Sequence, residues 1–161
     1  MTGPRQQALI DALERNAEEV EVFFHTMSPD QLAALIYSEE NQWTARDVLA
    51  HLAGAERSLL VLFRNVADGG PGATPDFDLN RYNRRVVEKT AEASVEDLLV
   101  TFKARRANTI AFTAMLDDAA LDNVGNHPTE GEHTLEGLIA IAYLHTHWHI
   151  GDIQQALGMT E

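Results

Sequence analysis

The sequence predicts an all-α protein built as a four-helix bundle. Helical periodicity dominates the 161 residues, and no segment shows the convincing apolar–polar alternation of a strand. Four long amphipathic segments each carry an apolar stripe, which has to be buried against other helices, and in one small domain a bundle achieves this. No linker or internal repeat interrupts the chain. Residues 1–161 are therefore expected to form a single domain.

The first long helix is marked by its apolar stripe. Between Leu9 and Met27, apolar side chains recur at spacings of three and four residues, while most of the glutamates lie off this stripe. The next residues, Ser28 and Pro29, suit an N-cap and a first helical position. They predict a short helix directly after the first long one.

The second long helix has a well-defined start in the segment QWTARDV. Thr44 can cap the amide of Asp47 while the Asp47 carboxylate reaches back, which is an aspartate version of the capping box. Trp43 and Val48 flank this start and form a candidate hydrophobic staple. The apolar stripe then continues to about Ala67, where the segment DGGPGATPD ends the helix.

The second half of the chain predicts one interrupted helical region and a final helix. A short helical piece starts near Asp78, and Ser94 caps a longer piece. Residues 117–133 form a long polar connection, which is long enough to suggest a function or simple mobility. Thr134 then opens the last helix, which runs to about Leu157.

Composition restricts the classes of function. The formal net charge of −13 disfavours nucleic acids and acidic membrane surfaces as partners, because binding to phosphates requires a basic surface. The chain has no cysteine, so His, Asp or Glu must hold any metal. No run approaches the roughly 20 apolar residues of a membrane helix, and the N-terminus lacks a signal-peptide pattern. A cytoplasmic location is expected.

Three of the seven histidines occur at alternate positions in the segment AYLHTHWHIGDIQQ. His145 and His149 lie one turn apart on the inward stripe of the last helix, whereas His147 points to the opposite side. His51 lies beside the inward stripe of the second long helix, so it can meet this pair if the two helices are neighbours. Three imidazoles and an open position are typical of a catalytic or ligand-binding metal site. Hydrogen-bonded core histidines are the alternative.

The same residues carry a family resemblance. The segment WTARDVLAHLAGAE resembles the first signature of the DinB-like superfamily, also called the YfiT-like metal-dependent hydrolases. The segment TLEGLIAIAYLHTHWHIGDIQQAL resembles the second signature, a His-x-x-x-His pair on the last helix. This resemblance covers essentially the whole chain. It implies an antiparallel four-helix bundle of the DinB/YfiT-like type, with His51, His145 and His149 holding a divalent metal ion.

The resemblance also implies a range of activities. Characterised relatives include mycothiol-dependent maleylpyruvate isomerase and bacillithiol or mycothiol S-transferases, so a small-molecule substrate and a low-molecular-weight thiol are expected. Zinc or nickel is the expected ion, and manganese, cobalt and iron are compatible with imidazole ligands. The alternatives are a metal-dependent hydrolase and a non-catalytic metal- or small-ligand-binding stress-response protein. Relatives often carry Gln three residues after the last ligand, where this chain has Asp152, so activities that need that Gln do not transfer.

Four further residues are candidates for the site. Asp152, one turn after the last ligand, is the candidate catalytic residue, either as a general base or as a partner that orients the imidazole. An ordinary solvated helix residue is the alternative interpretation of Asp152. Asp47 could orient the first ligand, although the capping box already explains it. His127 and His133 flank the polar connection and could reach the mouth of the site.

Two surface features are also expected. A basic region would suit a carboxylate-bearing thiol, although a solvated face that balances nearby acids is the simpler interpretation. Its members are Arg81, Arg84, Arg85, Arg105 and Arg106. A homodimer is expected from the resemblance and from apolar residues that lie outside the assigned stripes. Examples are Leu49, Phe63, Leu99 and Ile141.

Overall fold

The computed structural model describes residues 2–159. The bundle consists of four long helices, which are α1 (Pro4–His25), α3 (Ala45–Ala67), α5 (Val95–Met115) and α6 (Leu135–Ala156). The connections hold two short helices, α2 (Pro29–Ala33) and α4 (Leu79–Lys89), and a 3-10 turn at Asp118–Asp122. They also hold four short strands, β1 (Leu35–Tyr37), β2 (Trp43–Thr44), β3 (Val124–His127) and β4 (Gly131–Thr134).

The predicted four-helix bundle is confirmed. Helices α1 and α3 each pack against both α5 and α6. The expectation of no strand is wrong in one respect, since β1 pairs with β2 and β3 pairs with β4 as antiparallel hairpins. Strands of two to four residues are too short for apolar–polar alternation to be visible in the sequence. In the part of the chain that the structure describes, no helix is long and apolar enough to cross a membrane.

Side-chain contacts fix the directions of the helices. Arg5 pairs with Glu136 near the start of α6, and Glu19, later in α1, contacts His147 in the second half of α6, so α1 and α6 run in the same direction. Side-chain contacts between the other helices show in the same way that α3 and α5 are parallel. They also show that α1 is antiparallel to α5 and that α3 is antiparallel to α6. The bundle is thus antiparallel across two of its four interfaces. Residues 68–94 return along the bundle before α5 begins, which makes the parallel pairs possible.

The predicted helix starts are confirmed. The Asp47 amide donates to Thr44 Oγ1 at 3.2 Å, and the Thr44 amide donates to Asp47 Oδ2 at 3.0 Å, so the capping box is complete. Ser28, Ser94 and Thr134 each accept a hydrogen bond from the backbone amide three residues later. These caps satisfy amides that the helix itself leaves without a partner.

The core consists of two apolar clusters with a polar layer between them. On α1, Leu9 and Leu13 belong to one cluster, whereas Val20 and Phe24, which follow Asn16, belong to the other. The polar layer contains one buried side chain from each long helix, namely Asn16, Glu56, Arg106 and Thr146. Buried polar groups of this kind require partners, and hydrogen bonds within the layer supply several of them. Among the described residues, Nδ2 of Asn16 is the exception, since it is buried without a hydrogen-bond partner.

The apolar residues offered for a dimer interface are buried within the single chain. Leu49, Phe63, Leu99 and Ile141 are all at most 5% exposed. Each long helix packs against two neighbours, so it buries a wider face than the single stripe assigned from the sequence. The homodimer stays a prediction, and it now depends on the family resemblance alone.

The predicted basic region does not form one surface. Arg106 is 1% exposed and belongs to the polar layer, while Arg105 donates to the carbonyl of Ala53 at 2.7 Å. Arg81 and Arg85 line a shallow depression on α4. One basic region was predicted because all five residues carry the same charge, but the arginines belong to different helices and different faces.

Candidate metal centre

The structure brings together the three histidines that were predicted to converge. His51 comes from α3, and His145 and His149 come from neighbouring α6. The Nε2 atom of His145 lies 3.0 Å from Nε2 of His51 and 3.0 Å from Nε2 of His149. One ring nitrogen of each residue lies within 4.8 Å of the other two. Three potential ligand atoms therefore point to a common position.

The donor set fits a divalent ion. Burial lowers the pKa of His145 to about 3 and of His149 to about 4, and it also lowers the pKa of His51 well below its usual value. The imidazoles are therefore neutral near pH 7, as metal ligands must be. With zinc–nitrogen bonds of about 2.0–2.1 Å, the ligand atoms of a tetrahedral site lie about 3.3 Å apart. The Nε2 atom of His145 lies at a similar distance, 3.0 Å, from Nε2 of His51 and from Nε2 of His149.

The β1–β2 hairpin contacts two of the three imidazoles. The Tyr37 hydroxyl lies 2.7 Å from Nδ1 of His149 and donates to Oδ2 of Asp152 at 2.5 Å. The ring of Trp43, which pairs with Tyr37 across the hairpin, lies against the ring of His51 with centroids 4.8 Å apart. A two-stranded ribbon thus holds rings from both ligand-bearing helices.

Tyr37 could not be identified as a site residue from the sequence. It is separated from His149 by 112 positions, and no spacing rule connects them. Only the recognition of a hairpin between α2 and α3 would have suggested that a side chain from this segment reaches the site. Burial, followed by the hydrogen bond to Asp152, raises the pKa of Tyr37 well above its usual range. Its hydroxyl is therefore a hydrogen-bond donor at neutral pH.

A cavity of about 1010 Å³ opens next to the histidines. It follows the groove between α3 and α6, and its walls come from α4, from residues 72–77 and from the tips of both hairpins. Aromatic rings line it on several sides, among them Trp43, Phe77, Tyr82 and Trp148. This volume lies at the upper end of the range for small-molecule sites.

One wall of the cavity is held by a backbone bridge. The amide of Ala73 donates to the carbonyl of Asn126 at 2.8 Å, and the amide of Asn126 donates to the carbonyl of Pro71 at 2.8 Å. Gly72 lies between them with φ of +85°, and a Cβ atom there would lie 2.5 Å from the Asn126 backbone. Only glycine fits this close approach. The connection that follows α3 is thereby fixed to β3.

Comparison with known proteins assigns the chain to a family. The family model of the DinB superfamily matches residues 7–153, which is nearly the whole chain. The chain belongs to the DinB superfamily. A search of curated proteins found no sequence match.

Several solved structures resemble the chain over nearly its full length. YfiT from Bacillus subtilis, described as a probable metal-dependent hydrolase with an unusual four-helix bundle topology, has a TM-score of 0.76 at 20% identity, covering 98% of this chain and 90% of that chain. The colibactin self-resistance protein ClbS, solved in complex with double-stranded DNA, has a TM-score of 0.72 at 14% identity, covering 97% of both chains. An uncharacterised protein from Clostridium difficile 630 has a TM-score of 0.72 at 13% identity over 100% of both chains. At these identities the likeness concerns the fold.

The other candidate residues of this DinB-superfamily chain differ in their relation to the three histidines. His147 lies off the cluster and contacts Glu19 at 3.0 Å, as its opposite orientation predicted. Asp47 is occupied by its capping box. Asp152 is exposed, does not belong to the cavity lining and reaches the histidines through the Tyr37 hydroxyl. His127 does line the cavity, as its position beside the polar connection suggested.

The cavity lining contains several charged side chains but not His133. His133 lies outside the lining, where its Nε2 atom is 3.1 Å from the Glu130 carbonyl. Among the described residues, Arg57 is the one Lys or Arg in the lining, which also contains three glutamates. These are Glu39, Glu40 and Glu130. A strongly anionic ligand is therefore poorly matched to this cavity.

Proposed function

We propose that the chain is a divalent-metal-dependent enzyme that activates a thiol or a water molecule at the three-histidine site. The observation that carries this proposal is the convergence of three neutral, largely buried imidazoles at the wall of a large cavity. Structural zinc sites are closed by four protein ligands, whereas catalytic sites keep a position open. Among the described residues no fourth His, Cys, Asp or Glu joins the group.

The histidines would hold the ion through their Nε2 atoms, with zinc or nickel as the proposed metal. A divalent ion at this position supplies Lewis acidity, which lowers the pKa of a thiol or of water and yields a nucleophile near neutral pH. The protein residues position the reactants. The aromatic walls of the cavity offer apolar contacts, while His127 and Arg57 offer polar contacts to a substrate.

Thiol-dependent transfer is the form of the reaction that we propose first. The cavity volume of about 1010 Å³ accommodates a low-molecular-weight thiol together with an acceptor substrate. Arg57 is the group that could pair with a carboxylate of the thiol, in place of the arginine cluster expected from the sequence. Metal-dependent hydrolysis is the second candidate, and the printed description of YfiT as a probable hydrolase supports it.

The test combines metal loading with two reactions. Protein purified without a nickel-affinity tag is loaded with zinc or nickel and incubated with a panel of low-molecular-weight thiols and an electrophilic acceptor. Loss of free thiol is followed, and hydrolysis of ester and amide substrates is measured in parallel. The matched controls are His51→Ala, which removes a ligand, and His147→Ala, which leaves all three.

We expect thiol consumption that depends on the metal, disappears in His51→Ala and persists in His147→Ala. Hydrolysis without thiol consumption would support the second candidate instead. If the metal-loaded protein does not exceed the His51→Ala background in either reaction, the enzyme proposal is wrong. A non-catalytic metal- or small-ligand-binding protein would then be the remaining interpretation.

A further inference from the structure

The Tyr37 hydroxyl connects an exposed carboxylate to one of the metal-ligand candidates. It lies 2.7 Å from Nδ1 of His149 and 2.5 Å from Oδ2 of Asp152. A tyrosine hydroxyl carries one proton, and an ionised carboxylate can only accept a hydrogen bond. The hydroxyl therefore donates to Asp152, and its oxygen is left to accept the Nδ1–H of His149. This pattern decides which nitrogen of His149 carries the proton.

We infer that Tyr37 is a positioning residue of the metal centre, and that Asp152 acts on the centre through it. With the proton held on Nδ1, the Nε2 lone pair of His149 faces the Nε2 atom of His145 at 3.0 Å. Metal-binding histidines commonly donate their second ring N–H to an acceptor that fixes the tautomer and the ring orientation. This inference rests on the metal-binding part of the proposed function.

The position of Asp152 distinguishes this role from that of a general base. A base must come within hydrogen-bond reach of the substrate proton, or reach it through one water molecule. Asp152 is exposed and lies outside the cavity lining, whereas Tyr37 lies in it. The carboxylate thus orients the hydroxyl, and the hydroxyl orients the imidazole. Neither step requires contact between Asp152 and a substrate.

The hairpin explains how a distant residue achieves this geometry. Tyr37 pairs with Trp43 across the β1–β2 ribbon, and the Ala45 amide donates to the Ala34 carbonyl at 3.1 Å at its base. The ribbon is therefore continuous with the first turn of α3. Because Trp43 lies against His51, the same ribbon sets the distance between the ligand from α3 and the ligand whose ring Tyr37 holds.

The main test compares Tyr37→Phe with Tyr82→Phe. The first variant removes the hydroxyl and keeps the ring. The second removes a hydroxyl from the same cavity, where Tyr82 packs near Phe77 and not against the histidines. Zinc affinity is measured by competition with a chromogenic chelator. We expect Tyr37→Phe to weaken binding about 10–100-fold, as loss of such partners typically does, and Tyr82→Phe to leave it unchanged.

Asp152→Ala gives a second and less obvious outcome. Without the carboxylate, the Tyr37 hydroxyl is free to donate to Nδ1 of His149, which favours the tautomer with the proton on Nε2. That proton competes with the metal, so Asp152→Ala should weaken zinc binding although Asp152 touches none of the ligands directly. In a Tyr37→Phe background the Asp152→Ala change should have no further effect, because the two residues act in series.

A tautomer measurement separates this inference from the proposed function. Nitrogen–proton correlation spectra of the metal-free protein should show His149 protonated on Nδ1 in the wild type, with this preference lost in Tyr37→Phe and reversed in Asp152→Ala. Tyr37→Phe with wild-type zinc affinity, or a wild-type His149 protonated on Nε2, would overturn the inference. A wild type that binds no divalent metal while keeping the Nδ1 tautomer would instead refute the metal-binding proposal.

Discussion

Glu56 and Arg106 form a bidentate ion pair in the centre of the bundle. Arg106 donates from Nε to Glu56 Oε2 at 3.0 Å and from Nη2 to Oε1 at 2.6 Å, and both side chains are at most 2% exposed. The same guanidinium donates to the carbonyls of Leu13 and Ala142. All four long helices meet at the Arg106 guanidinium. It therefore fixes the position of α3 relative to α6 along the bundle axis and aligns the histidines that the two helices carry.

Replacing Glu56 by Ala should destabilise the protein strongly. The change leaves the Arg106 charge buried without its anionic partner, and breaking a buried pair in this way typically costs about 3–5 kcal/mol. Urea unfolding gives the free energy of unfolding. Glu96→Ala is the matched control, because Glu96 is exposed and lies 3.4 Å from an exposed His25. A loss for Glu56→Ala as small as that of the control would contradict a structural role for the ion pair.

Trp43→Ala should lower stability more than it lowers metal content. The Trp43 side chain is 8% exposed and belongs to the apolar cluster that contains Val48, and truncation of a buried tryptophan costs about 3–5 kcal/mol. Thermal unfolding and metal content per chain are measured together. Trp148→Ala is the control, since Trp148 is 48% exposed. An unchanged melting temperature with lost metal would show that Trp43 serves mainly to hold His51.

The stability of the metal-free protein should fall as the pH is lowered. The folded-state pKa values of about 3 for His145 and about 4 for His149 lie below the ordinary value of 6.5. At pH values between the folded-state pKa and 6.5, the unfolded chain therefore binds more protons than the folded protein. The contribution is fully present above pH 6.5 and is lost progressively below it. Urea midpoints at about pH 7.5 and about pH 5.5 test this. A His145→Gln, His149→Gln double variant should show a shallower dependence, and an equally steep one would argue against these histidines as the cause.

Single replacement of His51, His145 or His149 by Ala should remove most of the bound metal. Two imidazoles alone make a poor site for a divalent ion, which needs at least three protein ligands in sites of this kind. His147→Ala should leave the metal content near that of the wild type, because its side chain contacts Glu19 away from the cluster. Plasma mass spectrometry gives the metal content per chain, with circular dichroism as the folding control. A folded His147→Ala protein without metal would show that the site is not the one described.

The bundle, its helix starts and the pairing of His145 with His149 could be predicted because each depends on local sequence. A capping box such as that of Thr44 and Asp47 is complete within four residues, and the spacing of His145 and His149 fixes their common face. His51 required one more assumption, that its helix and the last helix are neighbours. The structure confirms this assumption through the packing of α3 against α6.

What could not be predicted depends on contacts between distant parts of the chain. Tyr37 reaches the site through a hairpin whose strands are too short to leave a pattern. From the sequence, Arg106 would be assigned to the surface, because its ion-pair partner Glu56 lies fifty positions earlier and no local pattern connects the two residues. Ile141 and Leu49 were assigned to an interface because one stripe per helix was assumed, whereas each helix has two neighbours.

The metal-ligand candidates and the cavity walls come from different kinds of structure. His51, His145 and His149 stand on long helices that a buried polar layer aligns, whereas much of the surrounding wall comes from hairpin tips and from the Gly72 connection. Loops tolerate exchange far better than packed helices do. The scaffold is therefore suited to engineering in which residues 38–42, 73–77 or 128–130 are replaced to accept new small molecules while the three-histidine cluster is left intact.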